Sequence, residues 1–146
     1  MPTPDMPATD LRTALLDAAE AQLVEEGLGS LSLRAIARNV GVSHQAPGHH
    51  FGNRAGLMTA VAARGVARLG RRMEEVAASS SGSARERLSA IGVAYVEFAD
   101  DHRALFALAA RPELIDASDE GLLQARLAAW GCLLYTSPSP RDGLLS

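Results

Sequence analysis

The chain has 146 residues, 47% hydrophobic and 21% charged, with a formal net charge of −3. That suits one globular domain, or a small head joined to part of a second, and the scarcity of aromatic and β-branched residues favours helices over strands. A single cysteine, Cys132, excludes an internal disulfide and a CxxC pair; with no basic–apolar leader and no apolar run of about 18 residues, a soluble, cytoplasmic protein with no membrane partner is expected.

In chain order, residues 1–9 open with a proline-rich stretch expected to be a disordered arm. A first helix is predicted from about Asp10 to Glu26, capped by Thr9, with Leu11, Leu15, Ala18, Ala19 and Leu23 inward and Gly27 in the left-handed position at its end. Ser32 caps a second helix carrying Leu33, Ile36, Ala37 and Val40, and Gly41 ends it. Val42 turns inward and Ser43 caps a short third helix, with Pro47 as its fourth residue and Phe51 as the apolar lock. Asn53 caps a fourth helix that uses Leu57, Val61, Val66, Leu69 and Met73 and extends to about Val76.

The string ASSSGSA, residues 78–84, reads as a linker. Beyond it Leu88, Ile91, Tyr95 and Phe98 mark a fifth helix and Leu105–Ala110 a sixth ended by Pro112. Leu123, Leu127, Trp130 and Leu134 mark a seventh opening near Ser118, after which residues 135–146 abandon the helical pattern.

Charge is distributed unevenly. From Gly27 to Met73 there are seven arginines (Arg34, Arg38, Arg54, Arg64, Arg68, Arg71 and Arg72), three histidines and no Asp or Glu. Within that stretch SLRAIARNVGVSHQAPGHHF, residues 32–51, has the parts of a helix-turn-helix. Ala37 is small where helices cross, Gly41 makes the turn, and Ser43 caps a second helix whose start can reach base edges. An all-positive helical pair suits the phosphates of duplex DNA, whereas an ordinary helical hairpin would require none of this charge segregation.

These segments resemble the TetR family of bacterial transcriptional regulators. LLDAAEAQLVEEG is similar to that family's first helix, LSLRAIARNVGVS to its second helix and turn, and HHFGNRAGL to its exit into helix 4. VAYVEFADDHRALFAL, residues 93–108, resembles the opening of the effector domain in TetR regulators of the WHG type. The resemblance implies that helix 3 enters the major groove and that the starts of helices 2 and 4 hold phosphates. Carried over by position, Ser43, His44, Gln45 and Ala46 fall at the base-reading start of helix 3, and Gln45 can pair bidentately with adenine. Ser32, Arg34, Asn53 and Arg54 fall at the phosphate-holding helix starts, and His49 at a position that contacts the backbone, with His50 beside it. Gly48 stands where the family usually carries a tyrosine, and Pro47 precedes it, so one phosphate contact is expected to be lost.

His44, His49 and His50 lack the i, i+4 spacing of helical metal ligands, and no metal or cofactor is expected. Tyr95, Phe98, His102, Phe106 and Trp130 could line the effector pocket that the resemblance implies, although Tyr95 and Phe98 also suit ordinary core. The adjacent Asp100 and Asp101 read as a solvated turn, and no catalytic constellation is visible, so no enzyme is expected. The end, CLLYTSPSPRD, resembles translated sequencing-adapter read-through, which would make residues from about Cys132 foreign to the family; a genuine Ser/Pro tail is the alternative.

The expected protein is all-α: a helix-turn-helix head at 10–56, a partial helical effector domain at 57–134 and a disordered tail at 135–146. Its expected function is sequence-specific DNA binding, as a repressor responsive to an unknown small-molecule effector. The alternative is a helical module that binds proteins or small molecules without DNA activity. The expected partner is a double-stranded DNA operator. The resemblance implies a homodimer for a full-length parent, built from two last helices that this chain is expected to lack, so no defined dimer is expected for this chain.

Overall fold

The computed structural model describes residues 7–136, excluding the side chains of residues 132 and 134–136. The readings placed on residues 1–6, on the side chains of Cys132 and Leu134, and on the tail from 137 lie outside the described residues. Among the described residues there are seven α-helices and no strand. They are α1 (Ala8–Glu26), α2 (Leu33–Val40), α3 (Ala46–Phe51), α4 (Arg54–Ser79), α5 (Ala84–Asp101), α6 (Arg103–Ala109) and α7 (Glu120–Thr136), with a single 3₁₀ turn, Leu28–Ser30, between α1 and α2. The all-α expectation holds.

The chain divides into two compact units, 1–62 with 104–119, and 63–103 with 120–146. The first therefore takes in α6 and the turn after it, which the sequence reading had grouped with the effector domain. Its core is built from Leu15, Leu16, Ala19, Leu23, Leu31, Ile36, Ala37, Leu57, Met58 and Val61, with Leu105, Leu108 and Ile115 added from the later segment. Thr59 joins those two stretches of sequence. Its buried hydroxyl donates to Ala55 O (2.7 Å) and accepts from the Asp116 amide (2.9 Å). The Asp116 carboxylate accepts from the Ser118 hydroxyl and amide, which hold its pKa below the usual carboxylate value. Ser118 is thereby engaged in a turn, and α7 opens at Glu120.

Helix α1 begins earlier than its sequence signals suggest. Pro7, not Thr9, is the cap; its carbonyl accepts from Leu11 N, and Ala8 and Thr9, assigned to the arm, are already helical. A proline's fixed φ and missing N–H suit this border. Gly27 has φ +88° and ψ 179°, so it ends the helix in a region essentially reserved for glycine, but not in the left-handed helical conformation expected. Behind it, buried Gln22 donates its Nε2 to Ser30 O at 2.8 Å and ties the 3₁₀ turn to α1.

In the second unit the buried faces are rotated from those expected. On α5 they are Ile91, Ala94 and Phe98, while Leu88 and Tyr95 are 46% and 43% exposed. On α7 Leu122 and Ala129 are buried, whereas Leu127 and Trp130 are 72% and 62% exposed. On α7 the burial of Ala129 goes with a close helix approach: a Cβ on Gly70 of α4 would stand 3.3 Å from Ala129 Cα. Helix α5 opens with a reciprocal capping box, Ser83 Oγ accepting from Glu86 N while Glu86 Oε2 accepts from Ser83 N.

Two helical glycines of the first unit are predicted to respond oppositely to Ala. A Cβ on Gly56 would fall 1.9 Å from the Phe51 carbonyl oxygen, whereas a Cβ on Gly48 meets nothing within 4 Å. Gly56→Ala is expected to destabilise by about 1–3 kcal/mol or more, through overpacking against backbone. Gly48→Ala is expected to stabilise by roughly 0.5–1 kcal/mol. Urea unfolding of both variants checks the two signs.

Candidate nucleic-acid interface

The helix pair α2–α3 is set by its turn. Ser32 caps α2, its Oγ accepting from Ala35 N at 3.3 Å. At the other end Gly41 adopts φ +82°, ψ 32°; its amide donates to Arg38 O (3.2 Å) and the Val42 amide to Ala37 O (3.0 Å). That pair of bonds is a Schellman closure, and it needs a residue tolerant of the left-handed conformation. Ile36 and Ala37 are buried on the side away from exposed Arg34 and Arg38.

Between the helices Ser43 makes a local turn rather than the cap expected of it. Its Oγ accepts from Gln45 N (3.2 Å) and its carbonyl from Ala46 N, and α3 starts at Ala46 with Gln45 as its flanking residue. Pro47 is therefore the second residue of α3, not the fourth. An amide there would have no partner within the helix, so the proline is tolerated, and its ring is fully buried. Buried Pro47 anchors α3 alongside half-buried Phe51.

The exit from α3 is equally constrained. Gly52 has φ +80° and ψ −68°, and the Asn53 amide donates back to Phe51 O at 3.0 Å, forming a γ-turn. Asn53 Oδ1 then accepts from Gly56 N at 2.8 Å, capping α4 as the sequence suggested. Arg54 reaches back across the chain: Nε donates to Leu31 O (2.7 Å) and Nη2 to Leu28 O (3.1 Å). Two of its three nitrogens thus bind the loop before α2 to the start of α4, and three of its five N–H donors, on Nη1 and Nη2, are not used by these bonds.

The sequence-chosen residues line up along this path. Ser43, His44, Gln45, His49, Asn53, Arg54 and Arg34 are exposed, and Ser32, Ala46 and His50 are half-exposed. Because Ser32 Oγ and Asn53 Oδ1 accept from cap amides, what they offer outward is a hydroxyl hydrogen and an Nδ2 amide. The amides of the first turns of α2 and α4 lack intrahelical acceptors, and one in each, Ala35 N and Gly56 N, is taken by the cap. Among the described residues no group of His, Cys, Asp and Glu could hold a metal ion. Sequence reasoning missed Arg12 of α1, whose guanidinium lies over the Phe51 ring, 5.3 Å from its centroid. It escaped notice because it precedes the acid-free stretch and stands among aspartates.

The five effector-pocket candidates are not gathered in the same way. Phe98 is buried with the His102 ring 4.3 Å away, at the C-terminal cap of α5. Tyr95 and Trp130 are largely exposed, since α5 and α7 bury other faces, and Phe106 belongs to the other compact unit.

The family model for bacterial regulatory proteins of the tetR family matches residues 15–61, a span that covers most of this interface. No curated protein matches the chain. Among solved structures, a protein of unknown function from Rhodococcus sp. RHA1 is 34% identical, with a TM-score of 0.77 over 93% of this chain and 69% of its own. Another, described as a possible TetR family transcriptional regulator from Streptomyces coelicolor A3(2), shares the fold at 23% identity, with a TM-score of 0.63 over 90% of this chain and 60% of its own. No helix among the described residues is long and apolar enough to cross a membrane. With the helix-turn-helix geometry of α2 and α3, the family match identifies residues 15–61 as a domain of the tetR family of bacterial regulatory proteins.

Proposed function

We propose that this chain is a ligand-responsive repressor whose head, residues 10–56, reads an operator through α3 in the major groove. The observation that carries the reading is the exposure of Ser43, His44, Gln45 and His49, together with Arg34 and Asn53, in a segment without a single carboxylate. Gln45 and His44 face the base edges, while Arg34, His49 and the starts of α2 and α4 hold phosphates on either side. The effector domain is carried by the second unit, residues 63–103 with 120–134, where buried Phe98 with the His102 ring against it would line a pocket. The effector is a small molecule, and its release of the operator makes the protein a cytoplasmic switch.

Salt-dependent binding to nonspecific duplex DNA is the first test, because only a phosphate-binding surface produces it. Absence of that dependence would favour a helical binding module without DNA activity. Arg34→Ala is expected to weaken binding to all sequences alike and to lower the salt slope by about 1, with the fold unchanged. Arg54→Ala is expected to behave differently. It removes two charged hydrogen bonds to backbone carbonyls, each typically worth roughly 1.5–3 kcal/mol, less here for solvent screening. Its unfolding midpoint falls together with its affinity, and an unchanged midpoint would contradict the clamp.

Specificity is tested at Gln45. Gln45→Ala is expected to cost roughly 1–3 kcal/mol at one base pair of the operator and to relax preference there. A uniform loss over all operator variants would instead make Gln45 a backbone contact.

A two-fold operator is read by two copies of α3 about one turn of DNA, or a multiple of it, apart. With Leu123, Leu127 and Trp130 exposed on α7, the 146-residue chain is expected to be monomeric or to associate without a defined stoichiometry. Sedimentation decides: a discrete dimer at micromolar concentration would place a sufficient dimer surface within residues 84–134.

A further inference from the structure

We propose that Arg12 of α1 is an additional phosphate-binding residue, held beside the α3 exit by the Phe51 ring. The proposal rests on the DNA-binding reading and adds to it a residue from outside the helix-turn-helix segment. Three observations converge. Arg12 is exposed, and its guanidinium carbon lies over the Phe51 ring, 5.3 Å from the centroid, within the range of a cation–π contact. Phe51 is the last residue of α3, two positions after His49 and two before Asn53, and its ring also lies 6.1 Å from that of His50. The cation is therefore anchored to the segment that carries the phosphate-facing groups. Finally, the residues three and four positions from Arg12 are Ala8, Thr9, Leu15 and Leu16, so no carboxylate on α1 stands in register to neutralise it.

The two contacts use different parts of the group. A guanidinium meets an aromatic ring through its face, whereas its five N–H donors radiate in its plane toward oxygens. The ring can thus hold the group in place while its edge takes a phosphate oxygen, and an arginine already restrained loses less freedom on binding than one swinging in water. An arginine whose stem merely covers the half-buried ring would show none of this dependence on charge.

Arg12→Met separates the two roles because it keeps an apolar stem over Phe51 and removes the charge. Binding of the full 146-residue chain to a nonspecific DNA duplex is measured between 50 and 200 mM salt, with Arg34→Ala and Arg12→Lys alongside. Arg12→Met is expected to retain its unfolding midpoint and to lose about 0.9 from the salt slope, so its affinity falls about 3-fold less than wild type across that range. Arg12→Lys is expected to keep the wild-type slope. A wild-type slope in Arg12→Met, when Arg34→Ala lowers it, overturns the proposal and leaves the DNA reading standing. A wild-type chain with no salt dependence overturns both. Modification of the wild-type protein by phenylglyoxal gives a readout independent of any variant: duplex DNA should protect Arg12, and equal modification with and without DNA overturns the proposal.

Discussion

The carbonyl oxygen of Phe51 points into the first turn of α4, where a Cβ on Gly56 would stand only 1.9 Å away. This close approach, with the positive φ of Gly52 just before it, determines how α3 hands the chain to α4. Much of the interface depends on that handover. It sets the Asn53 cap, it brings Arg54 within reach of the Leu28 and Leu31 carbonyls, and it leaves the Phe51 ring where Arg12 can cover it. Two glycines four residues apart thus act as a steric joint, and the polar groups around them are arranged by it.

The arginines near this joint carry the same charge but differ in duty. Arg34 and Arg38 stand on the exposed side of α2, opposite Ile36 and Ala37, and are available to a polyanion. Arg54 divides its donors between backbone carbonyls and solvent. Arg12 holds its guanidinium over an aromatic ring. A count of positive charge treats these side chains as equivalent, whereas their hydrogen bonds and ring contacts do not.

The turn after α6 shows a similar economy of means. Thr59, buried on α4, serves at once as donor to its own helix and as acceptor for the amide of Asp116. One hydroxyl thereby fastens residues 104–119 to the unit that contains the helix-turn-helix. In the other unit, the small residues Gly70 and Ala129 allow α4 and α7 to approach closely. On α7 Ala129 and Leu122 are buried, while Leu127 and Trp130 stand toward solvent.

What the sequence by itself determined is what local chemistry controls. The all-α class, the Ser32 cap, the helix stop at Gly41 and the Asn53 cap each follow from residues within a turn or two of one another. The S-x-x-E capping box at Ser83 was legible by the same rule but was hidden inside an apparent linker. The tertiary structure alone decided which face of an amphipathic helix is buried, because that depends on what approaches it: Ala94 rather than Tyr95 on α5, and Ala129 rather than Trp130 on α7. It alone decided the long-range partners, Arg54 with Leu28 and Leu31, Thr59 with Asp116, and Arg12 with Phe51. Pairs 23, 26 and 57 residues apart leave no periodic trace in a chain, since periodicity records how a segment repeats and not which distant segment will meet it.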